Sequence, residues 1–210
     1  MPQSTQPVHI EPFSRAVFLA SSGTPDQFPP EGVPEVAFLG RSNVGKSSAI
    51  NALTGRRRLA FSSKTPGRTQ TVNFYDLGGT ARLVDLPGYG YARVPVAVRA
   101  GWDRLVGGYL SERRSLAGIV ILMDARHPVT PQDERLLDWL RPLRVERLVL
   151  LTKSDKLSRA ARSAALRTAC GKLAASANEA MLFSSSDGAG VEEARDCVIR
   201  WLRSAGGSRK

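Results

Sequence analysis

Long apolar runs are missing from this sequence. No stretch approaches the roughly 18 consecutive apolar residues that a membrane-spanning helix needs, so no membrane partner is expected. The first residues, MPQSTQPVHIEPF, also lack a basic segment followed by an apolar one. No secretory signal is therefore expected, and the expected compartment is the cytoplasm. Cysteine is scarce: Cys170 and Cys197 have neither the close pairing and nearby histidines of a zinc site nor the density of a disulfide scaffold, and both read as buried thiols. Acidic residues are outnumbered, 19 Asp+Glu against 30 Lys+Arg, for a formal charge of +11. Such a chain is favoured near polyanions, which inside a cell means nucleic acids. The clusters Arg56-Arg57-Arg58, Arg113-Arg114 and Ser208-Arg209-Lys210 are candidates for that contact, with a solvated surface as the plain alternative.

The 210 residues suit one domain with a real core, and 42% hydrophobic with 23% charged residues is ordinary for a globular chain. Residues 1–33 are rich in proline, serine and glutamine, broken by "AVFLA" at Ala16 to Ala20, and read as an N-terminal extension. After it, apolar runs alternate with amphipathic ones: "EVAFLG" then "KSSAINAL", "AGIVILMD" then "PQDERLLDWLR", "ERLVLLT" then "RAARSAALRTACGKL", "AMLFSS" then "VEEARDCVIRWLRS". That order predicts a mostly parallel sheet covered on both faces, a three-layer α/β/α sandwich. "VNFYDL" and "ARLVDL" lie close together across "GGT" and predict a hairpin that adds one antiparallel edge strand. Residues 34–204 would form this domain, leaving 205–210 as a short basic tail, with no internal repeat. Ligands of such sheets bind beyond the carboxyl ends of the strands.

"GRSNVGKS", Gly40 to Ser47, fits G-x-x-x-x-G-K-[ST] between a strand and a helix. Glycines let the backbone wrap phosphates, the amides of Arg41, Ser42, Asn43, Val44 and Gly45 line the cradle, Lys46 reaches the β and γ phosphates, and the Ser47 hydroxyl ligates magnesium. This loop alone leaves the nucleotide open. "LVLLTKSD" narrows it, because Asp155 can accept from N1–H and the 2-amino group of guanine, whereas adenine offers an acceptor at N1 and no 2-amino group. Thr152 and Ser154 flank that contact, and the stem of Lys153 can cover the base. Helix capping by Ser154 or Asp155 is the competing reading. "LFSSSDG" follows the last strand, and backbone of Phe183, Ser184 and Ser185 is placed to meet the guanine carbonyl or simply to cap a helix.

"SSKTPGRTQT", Ser62 to Thr71, is polar, irregular and suited to a switch loop whose threonine binds magnesium only when a γ phosphate is present. Thr69 is chosen for that role; spacing alone leaves Thr65 and Thr71 open. In "LVDLPGYGYA", Asp85 would bind magnesium through water, Leu86 and Pro87 shape the turn, and the Gly88 amide would donate to the γ phosphate. The next residue is Tyr89, where a hydrolytic switch can carry a polar side chain that orients water.

"GRSNVGKSS", "SKTPGRTQT", "LVDLPGYGYA", "MDARHP", "LLTKSDKL" and "FSS", in this order, closely resemble the EngB (YihA/YsxC) family of bacterial GTPases, within the TrmE-Era-EngA-EngB-Septin-like class. The resemblance covers about Glu35 to Arg203. It implies a six-stranded P-loop sheet, GTP or GDP with Mg2+ as cofactors, a nucleotide site that also draws on Gly67, Arg68, Gln70 and Thr71, and Thr69 beside Ser47 as a direct magnesium ligand. It further implies association with the large ribosomal subunit during its assembly, a role in normal septation and cell division, and a monomer.

Tyr89 cannot orient water as an amide does, since its phenol is long and weakly basic. Weak intrinsic hydrolysis is therefore expected. Asn43 would help hold K+ against the phosphates, as similar phosphate-loop asparagines do in related potassium-stimulated GTPases, or ribosomal RNA or protein would complete the site. The catalytic set is then Lys46, Asn43, Thr69 and Gly88. Two other readings compete: a P-loop ATPase or small-molecule kinase, which Asp155 disfavours, and a nucleotide-gated RNA-binding scaffold with negligible hydrolysis. His127, at a strand end before a proline, reads as a turn residue.

Overall fold

The chain alternates strand and helix where its apolar runs alternate with amphipathic ones. The structure, a computed structural model, describes residues 11–61, 71–89, 96–173 and 179–207. In chain order these hold α1 (Glu11–Ser14), β1 (Ala16–Ser22), a 3-10 turn (Pro25–Gln27), β2 (Glu35–Gly40), α2 (Lys46–Thr54), β3 (Val72–Leu77), β4 (Arg82–Asp85) and α3 (Val96–Glu112). There follow β5 (Leu116–Asp124), α4 (Pro131–Leu140), β6 (Glu146–Thr152), a second 3-10 turn (Ser154–Lys156), α5 (Arg159–Leu173), β7 (Glu179–Leu182) and α6 (Val191–Gly207).

The strands form one sheet in the order β1-β3-β4-β2-β5-β6-β7. β3 pairs antiparallel with both β1 and β4, while β4-β2-β5-β6-β7 are parallel neighbours. The expected hairpin is therefore β3-β4, and β3 runs against its six companions. Seven strands stand where six were expected. The seventh is β1, drawn from the 1–33 segment set apart as an extension. It pairs Ala16 with Leu77 and Ser22 with Val72 at the sheet edge, with a register shift between Phe18 and Ala20. Its Val17, Phe18 and Leu19 are exposed, so it lacks the continuous burial that makes the central strands legible. At the other end, α6 runs through Gly207, so 205–207 are helical rather than a tail, and 208–210 lie outside the described residues.

Period-two alternation divides the core between the two faces. Val36 and Phe38 of β2 pack with Val120, Leu122, Leu148 and Leu150 under α2 and α6. Ala37 and Leu39 pack with Ile119, Ile121, Val149 and Leu151 under α3, α4 and α5. α4 begins at a capping box in which the Thr130 side chain and Asp133 satisfy each other's backbone amides. At the start of β2, the opposite end from the strand ends that carry the site, Glu35 is fully buried. It accepts from Arg82 at 3.0 Å, from Arg113 at 2.7 and 2.9 Å and from the Tyr109 hydroxyl at 3.0 Å. Arg113 is thus an internal cation and not part of an RNA-facing cluster. Cys197 is buried, which pushes its thiol up to about 12, but Cys170 is exposed and corrects the expectation of two buried thiols. Among the described residues no helix is long and apolar enough to cross a membrane.

Candidate functional site

β2, β4, β5 and β6 end side by side at Gly40, Asp85, Asp124 and Thr152. This is the carboxyl edge where the fold class places ligands. From Gly40 the chain turns through Asn43 (φ 63°) and Gly45 (φ 105°) into α2. The left-handed glycine caps the helix so that the unpaired amides of its first turn face the strand ends. The loop is braced from β6: the Thr152 hydroxyl donates to the carbonyls of Val44 at 2.7 Å and Met123 at 3.0 Å, and Lys153 Nζ donates to the Asn43 carbonyl at 2.8 Å. Lys46 pairs with Asp85. Ser47, on the same turn, is buried beside them.

The segment after β4 lies on this loop. Leu86 N–H donates to the Phe38 carbonyl at 3.1 Å, Tyr89 N–H to Gly40 at 3.3 Å, and Ser42 N–H to the Tyr89 carbonyl at 3.4 Å. A side chain at Gly88 would place its Cβ 3.2 Å from the Gly40 oxygen and 3.3 Å from the Ser42 nitrogen, a tight fit against backbone that glycine relieves. Trp102 Nε1 of α3 donates to the Pro87 carbonyl at 3.0 Å. The Tyr89 ring turns away from the loop into the core, and its hydroxyl donates to Asp133 at 2.7 Å. Burial, then the Asp133 charge, pushes that phenol far above its ordinary value. Tyr89 is a neutral, internal hydrogen-bond donor, consistent with its inability to orient water.

On the base side, Lys153 sits at φ 59° and Asp155 is the middle residue of the following 3-10 turn, Ser154–Lys156. Asp155 accepts from the Ser184 hydroxyl at 2.9 Å and lies 3.1 Å from Lys156, and these contacts, Lys156 foremost, hold its carboxyl below the usual range. Ser154 N–H donates to the Phe183 carbonyl at 3.2 Å, joining the two loops. Ser184 is buried and its hydroxyl accepts from the amides of Ser186 and Asp187, while Ser185 is exposed. The structure therefore brings together Gly40 to Ser47, Asp85 to Gly88, Thr152 to Asp155 and Phe183 to Ser185. Thr71 is described just before β3, where its hydroxyl donates to Asn73 Oδ1 at 3.4 Å. Gly67, Arg68, Thr69 and Gln70 lie outside the described residues.

Two residues and one side-chain role here escaped sequence reasoning. Asp124 accepts from Lys153 Nζ at 3.0 Å and from Arg126 at 2.7 and 2.9 Å. Burial raises its pKa, but the hydrogen bonds from Arg126 and Lys153 outweigh it and leave the carboxyl far below the ordinary range. Its signal was available, since "AGIVILMD" ends a strand in a carboxylate just as "LVD" does. Asp133 had no comparable signal, nor did the side chain of Arg41, whose Nε lies 3.4 Å from it. His127 is an exposed turn residue whose amide donates to the Asp124 carbonyl at 2.9 Å, as expected.

A family model described as 50S ribosome-binding GTPase matches residues 35–153. The chain also superposes on a crystal structure of an Aquifex aeolicus Era variant bound to GDP.AlF4- with a TM-score of 0.65 at 22% identity, over 82% of this chain and 57% of that one. Fold and phosphate loop together define a P-loop GTPase. Among curated relatives, the probable GTP-binding protein EngB of Dechloromonas aromatica is 52% identical over 90% of this chain and 88% of its own length. That of Coxiella burnetii (strain CbuG_Q212) is 46% identical over 91% and 95%. A crystal structure of a probable GTP-binding protein EngB superposes with a TM-score of 0.64 at 22% identity, over 81% of this chain and 99% of that one. The chain belongs to the EngB family of GTP-binding proteins, and GTP and GDP are its nucleotides.

Proposed function

We propose that this protein is a weak, conditional GTPase that acts on the large ribosomal subunit or its precursors during assembly and supports normal septation and cell division from the cytoplasm, as a monomer. The observation that carries the conditional character is Tyr89: its ring is in the core and its hydroxyl is committed to Asp133. The Tyr89 side chain is thus not available to orient the attacking water, which supports a reading in which K+ or ribosomal RNA or protein completes the site.

The remaining assignments follow from the site. Backbone from Gly40 to Gly45 cradles the phosphates, Lys46 neutralises them, and Gly88 N–H senses the terminal one. Asp155 reads guanine with Thr152, Lys153, Ser154 and the loop Phe183 to Ser185 around it. Gly67, Arg68, Thr69, Gln70 and Thr71 complete the switch, with Leu86 and Pro87 shaping the turn. The Ser47 hydroxyl and the Asp85 carboxylate are both hard oxygen donors at the strand ends, a set that fits Mg2+, with Thr69 as the further direct ligand and Asp85 acting through water. Magnesium would supply charge neutralisation at the β and γ phosphates. Asn43, whose backbone is left-handed and whose carbonyl accepts from Lys153, would help hold K+ beside them.

Ribosomal action is supported by the basic charge of +11 and by the family description as ribosome-binding. One experiment tests the reading: GTP turnover in Na+ or K+ buffer, each with and without 50S particles. At least about tenfold stimulation by K+ or by particles is expected. Rates that stay flat across all four conditions would refute the conditional GTPase and favour the nucleotide-gated RNA-binding scaffold.

A further inference from the structure

Asp133 is fully buried in the first turn of α4, and polar groups from three segments converge on it. One carboxylate oxygen accepts from the Tyr89 hydroxyl at 2.7 Å and lies 3.4 Å from Arg41 Nε. The other accepts from the Thr130 amide at 2.8 Å and the Thr130 hydroxyl at 2.7 Å. Arg41 Nε is buried with no hydrogen-bond partner, so this carboxylate is the charge that compensates it. Arg41 belongs to the phosphate loop and Tyr89 to the segment that follows Gly88. One carboxylate ties both phosphate-facing segments to each other and to the cap of α4.

The tie holds a particular register. With Tyr89 anchored, its N–H bonds Gly40, its carbonyl occupies the Ser42 amide, and Lys46 rests on Asp85. The unpaired amides of the first turn of α2 remain open to a diphosphate. A terminal phosphate that draws the Gly88 amide toward itself must displace the Tyr89 backbone, and the buried hydroxyl resists that displacement.

We propose that Asp133 is a positioning residue that biases the site toward the diphosphate, because Tyr89 anchored on it keeps residues 86–89 registered on the phosphate loop against the demand of a triphosphate. The inference rests on the GTPase reading.

The test measures the affinities of the purified full chain for GDP and a non-hydrolysable GTP analogue. Tyr89→Phe keeps the ring and removes only the anchor; its triphosphate-to-diphosphate affinity ratio is expected to rise about tenfold, with GDP affinity within about twofold of the parent. Val198→Ala, which opens the core under α6 on the other face of the sheet and touches neither Asp133 nor Tyr89, should lower the melting temperature and leave the ratio unchanged. An unchanged or lowered ratio in Tyr89→Phe, or an equal rise in Val198→Ala, would overturn the proposal. A variant-free readout stands beside these: hydrogen exchange at the Tyr89 amide of the parent protein, which donates to the Gly40 carbonyl, should be slow with GDP and fast with the analogue. Equal exchange in the two states would overturn it as well. A parent protein that bound neither nucleotide would remove the GTPase reading itself, whereas normal binding with an unmoved ratio removes only this inference.

Discussion

Replacing Asp124 by Asn should loosen the guanine nucleotide without unfolding the protein. The carboxylate, about 5% exposed at the end of β5, holds Lys153 Nζ at 3.0 Å, and the same ammonium holds the Asn43 carbonyl of the phosphate loop at 2.8 Å. Asparagine keeps the shape and one acceptor but removes the charge. A hydrogen bond to a charged group contributes about 1.5–3 kcal/mol. The Lys153 side chain is 32% exposed, so water replaces part of what is lost and about 1 kcal/mol is the expected net cost. That corresponds to roughly fivefold faster GDP release. The assay is displacement of a fluorescent GDP by excess unlabelled GDP, followed in time. Arg126→Ala is the companion, expected to stay near the parent rate because the Arg126 side chain is 45% exposed and its loss leaves Asp124 paired with Lys153. A release rate within about twofold of the parent in Asp124→Asn would refute the bracing argument. The pH dependence has a definite sign. A carboxyl whose folded pKa is depressed contributes above its unfolded value, near 4, and loses that contribution as pH falls through the folded value. GDP release should therefore show no Asp124-dependent step between about pH 5 and 8.

Glu35→Ala should destabilise the fold by about 3–5 kcal/mol, since it leaves Arg82 and Arg113 without the buried carboxylate they share. Urea denaturation measures the loss, and GDP affinity at temperatures where the variant is folded should match the parent, because the network lies at the opposite end of β2 from Gly40. A thiol reagent should modify Cys170 rapidly in the folded protein and leave Cys197 untouched until denaturant is added. Two rapidly reacting thiols would contradict the burial of Cys197.

The central strands were legible because they are buried on both faces and so read as unbroken apolar runs, and the β3-β4 hairpin because its two strands sit close in sequence. β1 was not, because an edge strand leaves Val17, Phe18 and Leu19 in solvent and carries no pattern that separates it from a local apolar cluster. The phosphate loop and "TKSD" were legible because backbone geometry and guanine chemistry each demand particular residues at fixed spacing. Arg113 misled because charge in a sequence carries no sign of burial.

By itself the sequence pointed to a nucleotide at the strand ends, to Asp155 as the group that would read guanine, and to Tyr89 as a poor group for orienting water. Only the tertiary structure decided what Tyr89 does instead. Its partner Asp133 lies 44 residues along the chain in another element, and the two meet only when α4 packs against the face of the sheet that receives the Tyr89 ring. The same holds for Asp124 with Lys153 and for Lys46 with Asp85: local spacing fixes which groups can bind a phosphate, while long-range packing fixes which of them hold one another before it arrives.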